Sequence, residues 1–326
     1  MNGTKAPFLH FLGTGSGFSD SHNNAFWISK VKPPGFDEEQ CLFLIDLSLL
    51  NFCKVVKLIE EHNLRYVVIL LTHLHPDHAS GIGTLMNWAE AERKFHGEER
   101  YIHVVCGDPQ TAKDLSRYLN DSGTTAQSDH DSCCSILYMD TMFGTVINAL
   151  YRKNSQSMFL WNNKEPRLEI DGEGITETFR PVAVTHGKMR SFGWTIKPRD
   201  GSLIVYTGDT DSIKYFDRAV IQWLKIVREV ASIIGLVCTA DITCYCVMET
   251  YPKSGRNMTV NGNIEEVLDR LRILYHESAV GSLRLVFMHY NDYDELARQL
   301  ETSGFNDEVG KLSPKVSVEI ATPAEI

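Results

Sequence analysis

The chain lacks any charge-free apolar run long enough to cross a bilayer. Its longest apolar stretch, from about Ala219 to Cys238, carries Lys225, Arg228 and Glu229 and reads as a buried helix, so no membrane partner is expected. It also lacks a surplus of positive charge. With 32 Lys and Arg against 42 Asp and Glu, the formal charge is −10, which disfavours an extended nucleic-acid surface because such surfaces need a basic stripe. Residues Met1 to Pro7 have neither the apolar core nor the cleavage site of a signal peptide. The eight cysteines form no framework, and a reduced, cytoplasmic protein is expected. Cys133-Cys134 and Cys244-Tyr245-Cys246 read as small buried hydrophobes in preference to redox or metal pairs. The glycine loop Gly13-Thr14-Gly15-Ser16-Gly17 has no Walker lysine and no helical pattern after it, so it is a weak nucleotide cradle. No solenoid-type repeat is visible.

What is present is concentrated in Thr72-His73-Leu74-His75-Pro76-Asp77-His78-Ala79-Ser80-Gly81. Four potential metal ligands lie within six residues, directly after the apolar run Tyr66-Val67-Val68-Ile69-Leu70-Leu71, which reads as a fully buried strand. Gly81-Ile82-Gly83 follows, and a helical pattern begins at Leu85, Met86 and Trp88. Two residues apart in an extended loop, His73 and His75 point the same way and grip one ion, while Asp77 and His78 belong to the turn and face a second. Imidazole with carboxylate suits zinc, and also manganese or iron; the absence of thiolate argues against a closed structural zinc site.

At these residues the chain resembles the metallo-β-lactamase-fold superfamily, whose signature is His-x-His-x-Asp-His after a strand. Its later motifs are matched by His186 in Val184-Thr185-His186-Gly187, Asp209 in Tyr206-Thr207-Gly208-Asp209-Thr210, and His289 in Val286-Phe287-Met288-His289-Tyr290. Each follows an apolar run, and the matched segments extend from Phe8 to His289. The resemblance implies a single α/β domain over residues 1–326, a four-layer αββα sandwich of two mixed sheets flanked by helices. It implies two divalent ions, zinc before manganese or iron. His73, His75 and His186 hold one, Asp77, His78 and His289 the other, and Asp209 bridges. Asp46, at the end of Cys41-Leu42-Phe43-Leu44-Ile45, matches the aspartate that supports the metal loop from behind its ligands.

Along the chain, strands are expected at Phe8–Leu12, Ala25–Ser29, Cys41–Asp46, Tyr66–Leu71, Tyr101–Cys106, Glu177–Thr185, Phe192–Ile196, Ser202–Thr207, Leu236–Cys244, Leu283–Met288 and Lys315–Ile320. Helices are expected at Asn51–His62, Leu85–Phe95, Asp108–Leu119 (capped by Asp108-Pro109), Ser212–Val230, Ile264–Tyr275 and, last, Asp292–Leu300. The stretch from about 120 to 165 starts polar and turns aromatic, and reads as an insertion serving as a lid or an oligomer contact. His103 and His130 are within sequence reach of a site, although lone histidines are more often structural.

Two ions about 3.5–4 Å apart can trap a hydroxide and stabilise an in-line displacement on phosphorus. The bridging aspartate therefore favours a phosphodiesterase, with Asp77 and Asp209 as the catalytic carboxylates. His75 stands where two-iron relatives typically carry glutamate, which points to a hydrolase. The branch of ribonuclease Z and small-molecule cyclic phosphodiesterases is most similar. Asn263 occupies the place of ribonuclease Z's extra histidine, and no glycine- and proline-rich arm for transfer RNA is apparent. A small or cyclic phosphodiester is therefore the expected substrate. The alternatives are a lactone, thioester or lactam hydrolase on the same metals, and less readily a transfer-RNA processing enzyme or a non-catalytic binding protein. Lys188, Arg190, Tyr290 and Asn291 lie beside ligands in sequence and are the candidate phosphate contacts. A homodimer is a further expectation.

Overall fold

A computed structural model of the chain describes residues 9–17, 19, 20, 22–31, 39–122, 133–138, 148–149, 159–161, 168–170, 177–197, 202–210, 243–249, 269, 272, 282–290, 292–312 and 316–324. The chain divides into two compact units, Met1–Thr178 with Thr322–Ile326, and Phe179–Ala321.

In the first unit, strands β1 (His10–Gly13), β2 (Asn24–Val31), β3 (Glu39–Ile45), β4 (Tyr66–Leu71), β5 (Tyr101–Cys106), β6 (Cys134–Tyr138) and β7 (Asn148–Ala149) hydrogen-bond in that order into one seven-stranded sheet. Pairing is antiparallel from β1 to β3, parallel from β3 to β6, and antiparallel again at β7. Parallel neighbours need a crossover, which α1 (Phe52–Glu61), α3 (Ile82–His96) and α4 (Pro109–Asp121) supply. One-turn α2 (Pro76–Ala79) lies between β4 and α3. Two short strands, β8 (Phe159–Trp161) and β9 (Leu168–Ile170), pair antiparallel.

β4 is buried along its whole length, as its unbroken Val, Ile and Leu run requires of a central parallel strand. Alternate positions on the sheet, such as Leu42, Leu44, Val67, Ile69, Ile102 and Val104, pack against helix residues at the 3.6 period, such as Val55, Leu58, Leu85, Met86 and Leu115. On the opposite strand faces Trp27 and Phe43 stack at 5.0 Å, and neither is exposed. α4 begins as expected, with the Asp108 carboxylate accepting the Thr111 N–H at 2.6 Å ahead of Pro109.

Two features of this unit depart from expectation. α3 starts at Ile82 and not at Leu85. Gly81 and Gly83 look like turn residues, but Gly81 is small for a packing reason: a Cβ there would lie 2.5 Å from the Ser48 carbonyl oxygen. Within the stretch read as an insertion, Cys134–Tyr138 is a strand of the sheet, parallel to β5 and buried as far as Leu137. Residues 123–132 and 139–147 lie outside the described residues.

The second unit contains β10 (Glu177–His186), β11 (Met189–Lys197), β12 (Leu203–Asp209), β13 (Thr243–Glu249), β14 (Ser282–Met288) and β15 (Val316–Ile320). They run in the hydrogen-bonded order β15-β14-β13-β12-β11-β10, with β11 and β12 antiparallel and β12 through β15 parallel. Helix α5 (Tyr293–Thr302) is capped by Asp292, which accepts the Glu295 N–H at 3.0 Å. A further helix, α6 (Phe305–Leu312), follows where none was expected. It is short, with Gly304 in the left-handed conformation before it, and it is anchored by Phe305 packing edge-on against Phe287 at 5.6 Å. Of the strand expected at Leu236–Cys244, Thr243 and Cys244 lie in β13, which continues to Glu249, and residues 236–242 lie outside the described residues. The expected helix Ser212–Val230 lies outside the described residues, as does Ile264–Tyr275 apart from Asp269 and Arg272, both helical. Among the described residues, no helix is long and apolar enough to cross a membrane.

Candidate metal centre

The first unit gathers His73, His75, Asp77 and His78 at the carboxyl ends of two parallel neighbours, β3 and β4. Asp46, immediately after β3, is fully buried and left-handed (φ 62). Its Oδ1 accepts the Thr72 N–H at 2.7 Å, and its Oδ2 accepts the Thr72 hydroxyl at 2.6 Å and lies 2.7 Å from His78 Nδ1. One carboxylate thus ties the end of β4 to α2. Burial pushes the Asp46 carboxyl above its ordinary range, against the opposing charge and hydrogen bonds of His78 and Thr72. Burial alone would lower His78. The charges of Asp46 and Asp77 outweigh it and hold the imidazole well above its ordinary value in the metal-free protein.

With Nδ1 of His78 given to Asp46, its Nε2 is the nitrogen near Asp77 Oδ2, at 3.4 Å. His73 behaves alike: Nδ1 lies 3.0 Å from the Thr72 hydroxyl, and Nε2 lies 2.9 Å from His75 Nδ1. The rings of His73 and His78 are 4.0 Å apart. Pro76 opens α2 behind the extended His75, and this places Asp77 and His78 on a single helical turn.

The glycine loop closes over this turn. A Cβ on Gly17 would lie 3.0 Å from the Asp77 carboxylate, tighter than ordinary van der Waals contact. Gly17→Ala is therefore expected to displace Asp77 and to weaken divalent-ion binding. Metal titration of the variant should show lower affinity than wild type; an unaltered titration would refute this.

The second unit has its own group of three donor-type residues, each at a strand's carboxyl end. His186 ends β10 ahead of left-handed Gly187, Asp209 ends β12 after left-handed Gly208, and His289 follows β14 at φ 66. The Asp209 carboxylate lies between the two imidazoles, with Oδ1 2.9 Å from His289 Nδ1 and Oδ2 3.7 Å from His186 Nε2. Ser191 Oγ steadies the end of β12 by donating to the Asp209 carbonyl at 3.1 Å. Of the three described non-glycine residues with positive φ, two are Asp46 and His289. Strain of about 1–3 kcal/mol per residue persists only where surrounding contacts dictate it.

His73, His75, Asp77 and His78 in the first unit, and His186, Asp209 and His289 in the second, are buried or half-buried imidazole and carboxylate groups of the kind that hold divalent metal ions. The sequence matches the family described as the beta-lactamase superfamily domain over residues 54–237, more than half of the chain. The chain belongs to the metallo-β-lactamase-fold superfamily. Among solved structures it is similar to the metallo-β-lactamase fold protein YhfI from Bacillus subtilis, at 13% identity over 97% of each chain with a TM-score of 0.55. It is also similar to a long-form RNase Z from yeast (13% identity, 87% of this chain and 37% of that one, TM-score 0.49) and to human tRNase Z, short form, ELAC1 (15%, 86% and 92%, 0.43). No curated protein matches by sequence. The superfamily fold and the His/Asp clusters together support a metal-dependent hydrolase.

The remaining candidates fall in different settings. Lys188 and Arg190 are exposed in and after the turn that joins β10 to β11. Tyr290 is buried, and its hydroxyl donates to the Ala321 carbonyl at 2.7 Å, so it secures the chain after β15. Asn291 and His130 lie outside the described residues. Thr72 and Ser191 escaped the sequence reading; a hydroxyl residue directly between a buried strand and the first histidine was the available signal for Thr72.

His103 sits within β5, three residues before its carboxyl end, with Nδ1 2.7 Å from the Ser135 hydroxyl. Full burial lowers its pKa from 6.5 to about 4. Between those values the unfolded chain binds a proton that the folded chain does not. Its contribution is therefore complete above about pH 6.5 and lost as pH falls toward 4, amounting to about 3 kcal/mol. His103→Gln should flatten the pH dependence of urea unfolding in that window. Parallel profiles for variant and wild type would exclude this.

Proposed function

We propose that the chain is a phosphodiesterase acting on a small or cyclic phosphodiester at a centre of two divalent ions, with zinc the best suited to the donors. In this reading His73, His75 and His186 would hold one ion, Asp77, His78 and His289 would hold the other, and Asp209 would serve both. The observation that carries it is the Asp209 carboxylate, which offers one oxygen toward His186 and the other toward His289. When bound, two such ions lower the pKa of water and neutralise both the attacking and the leaving oxygen of an in-line displacement. The chain's own residues orient that chemistry. Asp46 fixes the His78 tautomer by accepting at Nδ1, and Thr72 does the same for His73. Asp77, on its one-turn helix, is the group to carry a proton toward the leaving oxygen. Lys188 and Arg190 are exposed cations beside His186 in sequence, suited to the phosphate's charge.

One observation favours carbonyl chemistry instead. Leu49 and Leu50 are about half exposed on the turn before α1, and the Leu49 N–H bonds the Ser80 hydroxyl just past α2. An apolar acyl group would find cover there. The test is hydrolysis by metal-loaded protein of bis-p-nitrophenyl phosphate, cyclic nucleotides, an acyl thioester, a lactone and a transfer-RNA precursor. Phosphodiester turnover at least about tenfold above the other classes, a 1.4 kcal/mol preference, is the expected result. Thioester or lactone turnover alone would transfer the assignment to carbonyl substrates, and precursor turnover alone to RNA.

A further inference from the structure

α3 carries a carboxylate on the side that packs into the core. Met86, Ala89 and Glu90 are all buried, Glu90 to 3% exposure. Across from it, where β6 begins, Cys133 and Cys134 are reduced thiols and equally buried, in the same apolar cluster as Met86 and Ala89. Successive residues of a regular strand face opposite ways. Cys133 stands just before the strand, which lets both sulfurs turn toward α3. Cys133 donates its N–H to Glu90 Oε1 at 3.1 Å and its thiol to the same oxygen at 3.5 Å, and the Cys134 thiol donates to the Met86 carbonyl at 3.8 Å. One Glu90 oxygen and the two sulfurs lie within 4.8 Å of one another.

We propose that Glu90, Cys133 and Cys134 form a further cation site that takes a thiophilic divalent ion of the zinc class, separate from the His/Asp donors. Thiolate selects soft and borderline ions, whereas that other set has no sulfur. Binding releases two protons, one from each thiol, and forms two sulfur–metal bonds and one oxygen–metal bond. Two thiolates, one carboxylate and a divalent ion sum to −1. Arg93 balances this, since its guanidinium already donates to Glu90 Oε2 at 3.0 Å and 2.8 Å and leaves Oε1 for the ion. A carboxylate oxygen has two lone pairs, so Oε1 keeps the Cys133 N–H while it binds metal. Loss of the Cys134 thiol proton also releases the Met86 carbonyl, which becomes available for a fourth position. The bound ion would fasten α3, which follows the histidine loop, to β6. As binding requires the folded arrangement, it raises the folding stability.

Cd2+ titration of the full-length protein tests the proposal. Thiolate coordination gives an ultraviolet charge-transfer band that imidazole and carboxylate donors do not produce, so the outcome is independent of the two-ion reading. One equivalent of Cd2+ is expected to develop the band in wild type, with loss of the band in Cys133→Ser/Cys134→Ser. Glu90→Gln keeps an acceptor for the Cys133 N–H but not the charge. It should retain the band with affinity reduced by at least the about tenfold that follows removal of a ligand's supporting partner. No band in wild type, or an undiminished band in the double variant, overturns the proposal. If the double variant fails to fold, alkylation of wild-type Cys133 and Cys134 in mild denaturant decides: protection by Cd2+ supports the site, and equal labelling with and without Cd2+ rejects it.

Discussion

Replacing Asp209 with alanine is expected to lower kcat/KM for bis-p-nitrophenyl phosphate by about 10^3-fold or more. Metal-ion catalysis contributes several kcal/mol of transition-state charge stabilisation, and each 1.36 kcal/mol is a factor of ten. The Asp209 carboxylate is 3% exposed and lies between His289 at 2.9 Å and His186 at 3.7 Å, so its removal takes a negative donor from both imidazole positions at once. Metal content should fall together with rate. Asp209→Asn preserves shape and β12 while lacking the charge, so it should fold like wild type and remain inactive. An alanine variant with full metal content and activity within a few-fold of wild type would rule out the bridging role. Loss of thioester activity with no phosphodiester activity in wild type would keep the bridge and change the substrate class.

The second large effect is expected at Asp46, which is the joint between β3, β4 and α2 and not a ligand. Asp46→Ala removes the acceptor for the Thr72 N–H, the Thr72 hydroxyl and His78 Nδ1 together. Each buried polar group left without a partner costs about 1–3 kcal/mol, and alanine in the left-handed conformation adds about 1 kcal/mol. Asp46→Ala should therefore lower unfolding stability by several kcal/mol. Asp46→Asn tolerates the left-handed backbone and keeps one acceptor, so it should recover much of that stability. It does not restore a charged acceptor at His78 Nδ1, and metal affinity should remain 10–100-fold weaker, as for other partners of metal-binding histidines. Equilibrium unfolding and metal competition, measured on both variants, separate the two contributions. If Asn restores affinity as fully as stability, Asp46 is only a strand-end cap.

Most of the fold could be read along the chain because its signals are local. β4 and β5 fall where the apolar runs place them, and α4 begins at the Asp108-Pro109 cap. Local signals fail where a neighbour decides. Gly81 reads as a turn residue, yet its smallness admits the Ser48 carbonyl, and α3 begins directly after it. α6 has too few turns for its periodicity to stand out and depends on Phe305 meeting Phe287. Cys134 to Tyr138 reads as part of an insertion, because a five-residue strand flanked by β5 and the two-residue β7 leaves little trace in composition.

Taken alone, the sequence determined the α/β class, the superfamily and the kinds of donor the chain carries. Hydrophobic period and ligand spacing are properties of neighbouring residues, and they survive without a tertiary context. Tertiary structure alone decided the rest. It set Asp46 behind His78, brought Asp209 between His186 and His289, committed the Tyr290 hydroxyl to Ala321, and turned Glu90 inward to meet two thiols. Each of these depends on which strand ends lie side by side in a sheet, or which helix face covers it. Residues far apart in the chain acquire those partners only when the sheets form.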